Sequence, residues 1–172
     1  MDGKTIDCGY FVTLDGEKIC KADESDDYVL GITSATPAVI ANSGDLNWKD
    51  KYVTDEWGRV LYQDVLVPAV TSKDGRAILP ERTESQPVLN PVWDHTREFI
   101  PRCKRPEWVA VGLLGKILVR DDGTCQVNRY CRPNKEGIAT ASRYGYRVMK
   151  RIGENQVLVF FDHMRLGHLK NR

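Results

Sequence analysis

Short runs of apolar residues, several of them alternating with polar ones, recur along the chain and are separated by residues that favour tight turns. Three pairs of these runs flank the turn sequences Asp15-Gly16, Asp122-Gly123 and Gly153-Glu154-Asn155. Asp-Gly readily adopts the positive φ angles that a tight hairpin loop needs, and alternation with a period of two is typical of strands with one buried face. The pattern therefore predicts three β-hairpins.

Two further runs, Tyr28–Ile32 and Val109–Leu114, are more uniformly apolar and predict strands that are buried on both faces. Helical periodicity is scarce, and prolines punctuate Lys73–Pro91, which predicts a long connector. We expect a mostly β fold, with one hairpin-rich domain over residues 1–161 that is β-barrel or β-clip-like, has long loops and little helix, and precedes a C-terminal tail at 162–172. The positions expected to be buried are Val12, Leu14, Val29, Ile32, Val111, Leu113, Ile117, Val148, Ile152 and Val157.

The charge is nearly balanced overall but is unevenly distributed. The 172 residues carry a formal net charge of +1, with −6 in residues 1–50 and +7 in residues 51–172. The small total gives no electrostatic reason to expect nucleic-acid binding, and no run of apolar residues is long enough to predict a membrane span. The asymmetry fits either two faces of one domain or an acidic segment that meets the basic one, within the chain or across subunits.

The cysteines and the familiar motifs argue against a disulfide framework and a cofactor. There are five cysteines, an odd number, and no pair has the Cys-x-x-Cys spacing of a metal site. No signal peptide is visible, so free thiols in a reducing compartment are expected. No phosphate loop or zinc-peptidase motif occurs, and we expect no cofactor and no metal.

Carboxylates next to tryptophans are the best candidates for catalytic chemistry. Asp55 and Glu56 precede one tryptophan, and Glu107 lies between a proline and another. A carboxyl group packed against an aromatic ring has its pKa raised, and it can then act as a general acid or base. The alternative is that these acids cap turns or pair with Arg59 and Arg105.

Six sequence blocks, which follow one another along the chain, resemble a known family. They are Gly9–Ile19, Asp27–Pro37, Tyr52–Arg59, Phe99–Arg102, Arg105–Lys116 and Val119–Cys125. Together they resemble the intramolecular-chaperone autoproteolytic cleavage domain, a glutamic-type self-cleaving peptidase at the extreme C-terminus of phage tail-spike and neck-appendage proteins. The resemblance covers residues 3–161, which is nearly the whole chain.

The resemblance implies both a function and a set of partners. Such a domain brings three chains into register as a homotrimer, helps an upstream β-helical spike domain of the same polypeptide to fold, and then cuts itself off in a single turnover. Parallel β structure folds slowly and its edges invite misassembly, which explains the need for a chaperone. The implied locations are the cytoplasm of the bacterial host during phage assembly and, for the parent protein, the virion tail.

The resemblance implies that the scissile bond and the family's acidic residues lie upstream of the Gly9–Ile19 block and before Met1. We therefore expect this chain to be a released product or a shortened form, which does not cut itself. The catalytic acids therefore cannot be transferred by position, and Asp55, Glu56 and Glu107 remain the candidates within the chain. One alternative is a structural or receptor-binding module at the end of a tail fibre, without proteolysis. Another is a serine–lysine self-cleaving site that uses Ser25-Asp26.

Overall fold

The computed structural model describes residues 5–44 and 46–162, and it is built almost entirely of β-strands. The prediction of a mostly β fold is confirmed. The helical structure in these ranges is a single 3-10 turn, Arg102–Lys104. Nothing helical in the described part of the chain has the length and apolar content that crossing a bilayer would take.

Thirteen strands lie within the described ranges. In chain order they are β1 (Phe11–Asp15), β2 (Lys18–Lys21), β3 (Gly31–Thr33), β4 (Tyr62–Val67), β5 (Val70–Thr71), β6 (Ala77–Leu79), β7 (Arg82–Pro87), β8 (Val111–Gly112), β9 (Gly115–Arg120), β10 (Tyr130–Pro133), β11 (Ala139–Ser142), β12 (Tyr146–Gly153) and β13 (Gln156–Phe161).

These strands form four antiparallel sheets. One sheet has four strands in the order β2-β1-β3-β8, and another has five in the order β11-β10-β12-β13-β9. The remaining two sheets are two-stranded, β4 with β7 and β5 with β6. The strand orders are those of open sheets, so the described residues contain no closed barrel, one of the two forms that the sequence left open.

Two of the three predicted hairpins are present and the third is not. Asp15-Gly16 joins β1 to β2, and the turn after Gly153 joins β12 to β13. The prediction of a hairpin at Asp122-Gly123 was wrong, because β9 pairs along its length with β13. The Gly123 amide donates to the carboxylate of Asp121 over 2.6 Å, and the chain turns away from the sheet as a loop.

The hydrophobic core lies where strands of the four-stranded and five-stranded sheets contribute buried side chains. Six of the ten positions predicted to be buried are confirmed, namely Val12, Val29, Ile32, Ile117, Val148 and Val157. Leu14, Leu113 and Ile152 are exposed, because each lies where a strand ends or bulges and its side chain no longer faces the core. Val111 is half-buried.

Three stacked aromatic rings form the centre of the core. The Tyr146 ring stacks on Phe11, with centroids 5.2 Å apart, and on Phe161, with centroids 4.6 Å apart. Phe11 belongs to β1, whereas the other two belong to β12 and β13, so the stack joins the two larger sheets. Aromatic pairs in this arrangement contribute beyond the area that they bury.

A buried ion pair fixes the loop that follows β9. The Asp121 side chain is fully buried and accepts a hydrogen bond from Arg151 Nη2 over 2.7 Å. Arg151 also donates to the carbonyl oxygens of Cys125 and Glu154, each over 2.6 Å. The loop and the β12–β13 turn are therefore held together by one guanidinium, which adds to the hydrogen bond that the Asp121 carboxylate accepts from the Gly123 amide.

The chain divides into two compact units. One combines Met1–Asn42 with Cys103–Arg172, and the other is Ser43–Arg102, here called the inserted unit. The predicted connector Lys73–Pro91 lies in the inserted unit, and the prediction was wrong in part because strands β6 and β7 both lie within it. Apart from Asp162, the predicted tail lies outside the described residues, and the single domain over 1–161 stays a prediction.

Candidate functional site

Asp55 closes a tight turn. Its side chain accepts hydrogen bonds from the amides of Trp57 and Arg59, each over 2.9 Å, and from Arg59 Nε over 2.6 Å. The Arg59 amide is the main cause of a lowered pKa at Asp55, and the Arg59 guanidinium and the Trp57 amide add to it. We expected a raised pKa from packing against Trp57, but that ring is 78% exposed. Asp55 is therefore held as a carboxylate that caps the turn.

Glu56 and Glu107 are both exposed to solvent. A carboxylate oxygen of Glu107 lies 3.6 Å from Arg105 Nη1, and the Arg105 guanidinium lies 5.4 Å from the centre of the Trp108 ring. The arginine, rather than the glutamate, therefore contacts the face of this tryptophan. Glu107 belongs to the larger unit, whereas Asp55 and Glu56 are adjacent residues of the inserted unit.

The inserted unit displays large apolar side chains without burying any. Among its residues with described side chains, which are all except Asp45 and Ala77, none is buried. Leu46, Trp57, Leu61, Tyr62, Leu66, Val70, Ile78, Leu79, Leu89, Val92 and Ile100 are exposed apolar or aromatic residues of this unit. A protein seldom exposes so many apolar side chains in one region unless they form an interaction site.

Strand β4 shows how this apolar surface arises. Tyr62 and Leu66 are an even number of residues apart and so share a face of the strand, where they are 63% and 61% exposed. Their cross-strand partners on β7 are Pro87 and Thr83, which are small and leave both side chains uncovered. This face of the two-stranded sheet is therefore open within the chain.

Polar contacts hold the first described residues against the larger unit. The Thr33 hydroxyl donates to the carbonyl oxygen of Asp7 over 2.8 Å and accepts from the Tyr10 amide over 2.9 Å. Arg120 Nε donates to the carbonyl oxygen of Cys8 over 2.9 Å, and Arg120 Nη2 donates to the Asp7 carboxylate. We call Asp7, Thr33 and Arg120 the N-terminal clamp.

The sequence did not point to this clamp. Asp7 and Arg120 are 113 residues apart, and nothing in the sequence pairs them. The only hint was the charge asymmetry, since an acid of the negative N-terminal part here meets a base of the positive remainder. Glu24 and Lys135 do the same, at 3.7 Å. Ion pairs within the chain therefore account for part of the charge asymmetry between the two parts of the sequence.

The described residues offer no cluster of three or more His, Cys, Asp or Glu side chains that could hold a metal ion. The arrangement instead provides exposed acids, an uncovered apolar surface and a firmly held N-terminal segment. These features suit protein–protein contact and chemistry on a peptide more than the binding of a small cofactor.

Comparison with known families decides the classification. Residues 1–156 match the model of Peptidase_G2, the IMC autoproteolytic cleavage domain. The chain belongs to this family. The match spans both units, so the inserted unit lies within the stretch that the family model matches.

Proteins with similar sequences include phage appendage proteins and a phage-related bacterial protein. The chain is 35% identical to the pre-neck appendage protein of Bacillus phage B103 over 140 residues. These residues make up 81% of this chain and 15% of that protein. It is 34% identical to the putative phage-related protein YobO of Bacillus subtilis strain 168 over 151 residues. The match covers 86% of this chain and 17% of that protein. The chain thus spans under a fifth of the length of these relatives.

The fold also matches two solved structures of one bacteriophage protein. The C-terminal fragment of bacteriophage phi29 gene product 12 superposes with a TM-score of 0.70 at 29% identity, covering 93% of this chain and 94% of that one. The pre-mature form of gene product 12 superposes with a TM-score of 0.74 at 28% identity, covering 94% of this chain and 20% of that one.

Proposed function

We propose that this Peptidase_G2 chain is the C-terminal intramolecular chaperone of a phage tail spike or appendage. Three copies associate, the association sets the register of an upstream β-helical domain, and self-cleavage then releases the chaperone. On this proposal the protein is made and matures in the cytoplasm of the bacterial host, and its parent joins the virion tail. Its partners are two further copies and the upstream domain of the same polypeptide.

The observation that carries the assembly part of this proposal is the inserted unit without buried side chains. A two-stranded sheet is at best marginally stable in water, because it has no face on which to bury apolar groups. The inserted unit consists of two such sheets and leaves residues such as Leu66 and Ile78 uncovered. A partner that covers these side chains would supply the missing core, and other copies of the chain are always available for this.

An assembly of this kind explains why the exposed surface is tolerated. Permanent homo-oligomeric interfaces resemble a domain core cut in half, are rich in apolar residues, and bury well over about 1,000 Å² in total. The exposed apolar residues of the inserted unit have that composition. Threefold association follows from the family resemblance described at the outset, and it is the stoichiometry we propose.

We expect Leu66→Lys to disrupt assembly, because a charge would be buried where an apolar side chain contacts another copy. Association should weaken about thirtyfold or more, the equivalent of roughly 2 kcal/mol. The measurement is sedimentation velocity over a range of protein concentrations. Gln63→Lys is the matched control, because this exposed residue lies on the opposite face of the same strand. Parent-like sedimentation of Leu66→Lys would remove the inserted unit from the interface.

For the cleavage step we propose that an exposed acid reaches a peptide segment upstream of the Gly9–Ile19 block. Peptide hydrolysis adds the oxygen of water to the carbonyl carbon, breaks the C–N bond and places a proton on the departing amine. A general acid or base must come within hydrogen-bond distance of the reacting groups. Glu56 and Glu107 are exposed and can do so in a neighbouring chain, whereas Asp55 is engaged by the amides of its turn.

We expect Glu56→Gln or Glu107→Gln to slow cleavage by about a hundredfold if that residue transfers the proton, without changing trimer content. The two variants are made separately in a longer polypeptide that includes the upstream segment, and cleavage is followed by gel electrophoresis. Glu136→Gln is a control at another exposed glutamate. Parent-like rates for both variants, with trimers intact, would place the catalytic acids entirely upstream of this chain.

A second candidate function is a structural or receptor-binding module without proteolysis. One observation favours it: wherever the pKa of a carboxyl group in the described chain is shifted, it is lowered, as at Asp7, Asp23, Asp55, Glu84, Asp94 and Asp122. A general acid at neutral pH needs the opposite shift. Mass spectrometry of the purified full-length protein before and after incubation, with no other protease present, distinguishes the two functions, since a module without proteolysis stays intact.

A further inference from the structure

We propose that Arg120 is a positioning residue for self-cleavage, which clamps the segment Thr5–Tyr10 and so fixes where the scissile bond is presented. The inference rests on the proposed function and adds to it a named residue and its contacts. Arg120 does not touch the reacting bond. It acts through the peptide segment that leads from that bond into the fold.

Arg120 contacts the segment Thr5–Tyr10 at four residues, Asp7, Cys8, Gly9 and Tyr10. Its Nε donates to the Cys8 carbonyl oxygen over 2.9 Å, and Nη2 donates to the Asp7 carboxylate. Its backbone amide donates to the carbonyl oxygen of Gly9 over 2.9 Å, and its guanidinium lies 4.9 Å from the centre of the Tyr10 ring. The Arg120 side chain thus contacts three residues of the segment, through a carboxylate, a carbonyl group and an aromatic face, and its backbone amide contacts a fourth, Gly9.

The segment has further anchors on both sides of these contacts. The Thr33 side chain is fully buried, and its hydroxyl bridges the Asp7 carbonyl oxygen and the Tyr10 amide. Nearer the N-terminus, the Thr5 hydroxyl donates to the carbonyl oxygen of Pro106 over 3.1 Å. The segment precedes β1, and two backbone hydrogen bonds to Thr33 of β3 also hold it, from the Gly9 amide over 2.8 Å and to the Tyr10 carbonyl oxygen over 2.9 Å. The side-chain contacts of Arg120, Thr33 and Thr5 add to these backbone bonds and extend them towards the N-terminus.

Gly9 makes the close approach between the segment and Arg120 possible. Its φ is +86°, and a Cβ at this position would lie 3.1 Å from Arg120 Cγ and 3.4 Å from the Arg120 amide nitrogen. Only glycine combines that backbone conformation with so little space. Gly9 therefore has a backbone conformation and a close contact that no other residue could adopt without strain. This restriction fits a segment whose position matters for cleavage.

A fixed segment is what an intramolecular cleavage requires. An effective reaction needs the reacting atoms within about 3–3.5 Å of each other, and displacement by roughly 1 Å can cost about a hundredfold in rate. One residue of extended chain spans about 3.5 Å. A loose segment would therefore spread the scissile bond over many positions, and a clamped one holds it near the catalytic acids.

The test uses the longer polypeptide that includes the upstream segment. Arg120→Gln removes the positive charge and the paired N–H donors of the guanidinium. Arg120→Lys keeps the charge, but its single ammonium group cannot donate to the Cys8 carbonyl oxygen and the Asp7 carboxylate with the geometry of the guanidinium. Arg82→Gln is the matched control, because it removes another exposed arginine that pairs with a neighbouring acid, Glu84. Each variant is measured for cleavage rate, trimer content and denaturation midpoint.

We expect Arg120→Gln to cleave about tenfold more slowly than the Arg82→Gln control, with Arg120→Lys between them and with trimer content and midpoint unchanged. One glycine inserted immediately before Thr5 should likewise slow cleavage or move the cut by one residue, although every contact of Arg120 is intact. Equal rates for Arg120→Gln and the control, or a loss of cleavage that follows a loss of trimer, would overturn the positioning role.

Hydrogen–deuterium exchange on the 172-residue chain separates the clamp from the reaction. Arg120→Gln should speed exchange at the amides of Cys8, Gly9 and Tyr10, and unchanged exchange would overturn the clamp itself. If the longer parent never cleaves, the proposed self-cleavage fails and the positioning role fails with it. If the parent cleaves and Arg120→Gln cleaves equally fast, the positioning role alone is overturned.

Discussion

Phe161→Ala is expected to lower the free energy of unfolding by about 3–5 kcal/mol, the range for truncating a buried aromatic side chain. Phe161 is fully buried and stacks on Tyr146, which in turn stacks on Phe11 of the other large sheet. Removing the ring leaves a cavity and ends a contact through which the two sheets are joined. The loss should therefore exceed that for a residue packed within a single sheet.

Urea denaturation of the 172-residue chain, followed by circular dichroism, measures this effect. The adjacent Phe160→Ala is the control, since that side chain is 38% exposed and lies on the opposite face of β13. We expect the control to cost about half as much or less, because less apolar area is uncovered. Equal losses for the two variants would mean that the aromatic stack has no special role.

Gly145→Ala is expected to destabilise the protein by about 2–5 kcal/mol, from strained backbone and overpacking together. Gly145 has a φ of +120°, a conformation that residues with a Cβ rarely adopt. A Cβ at this position would overlap the Cys131 carbonyl oxygen and lie 2.7 Å from Arg132 Cγ. Cys131 is on β10, where it pairs with Tyr146, so the new methyl group would push apart the strands that carry the aromatic stack.

The measurement for Gly145→Ala is again the midpoint and slope of urea denaturation, with Gly153→Ala as the control. Gly153 lies at the end of β12, and a Cβ there would meet only Gln156 Cβ, at 3.8 Å. The control should change stability by less than about 1 kcal/mol. A Gly145→Ala protein as stable as the control would show that the backbone near β10 relaxes at little cost.

Sequence pattern identified the β fold and the hairpins whose two strands are adjacent along the chain. The pairs β1–β2 and β12–β13 are of this kind, and local turn chemistry is sufficient to specify them. The sequence pattern failed at Asp122-Gly123, because β9 pairs with β13 and three strands lie between them in the sequence. Turn residues indicate where a chain bends, but the partner of a strand depends on contacts that are distant in sequence.

The inserted unit was the harder part for a different reason. Strand β7, which reads Arg-Thr-Glu-Ser-Gln-Pro, has no apolar alternation, because neither of its faces packs on a core within the chain. A pattern that reports burial within one chain cannot detect a strand without such burial. At the candidate site, Asp55, Glu56 and Glu107 were chosen for their neighbours in sequence, whereas the contact between Asp7 and Arg120 exists only in the folded chain.

The inserted unit leaves and rejoins the larger unit between two strands that pair directly with each other. Thr33 of β3 lies opposite Val111 of β8, so the whole excursion is closed at its base by a sheet ladder. The entropy of closing such a loop grows only with the logarithm of its length, by about 0.6 kcal/mol for each doubling. A change in the length of this excursion should therefore cost the larger unit little closure entropy. On the function proposed above, the part that associates with other copies could then change in length while the larger unit stays the same.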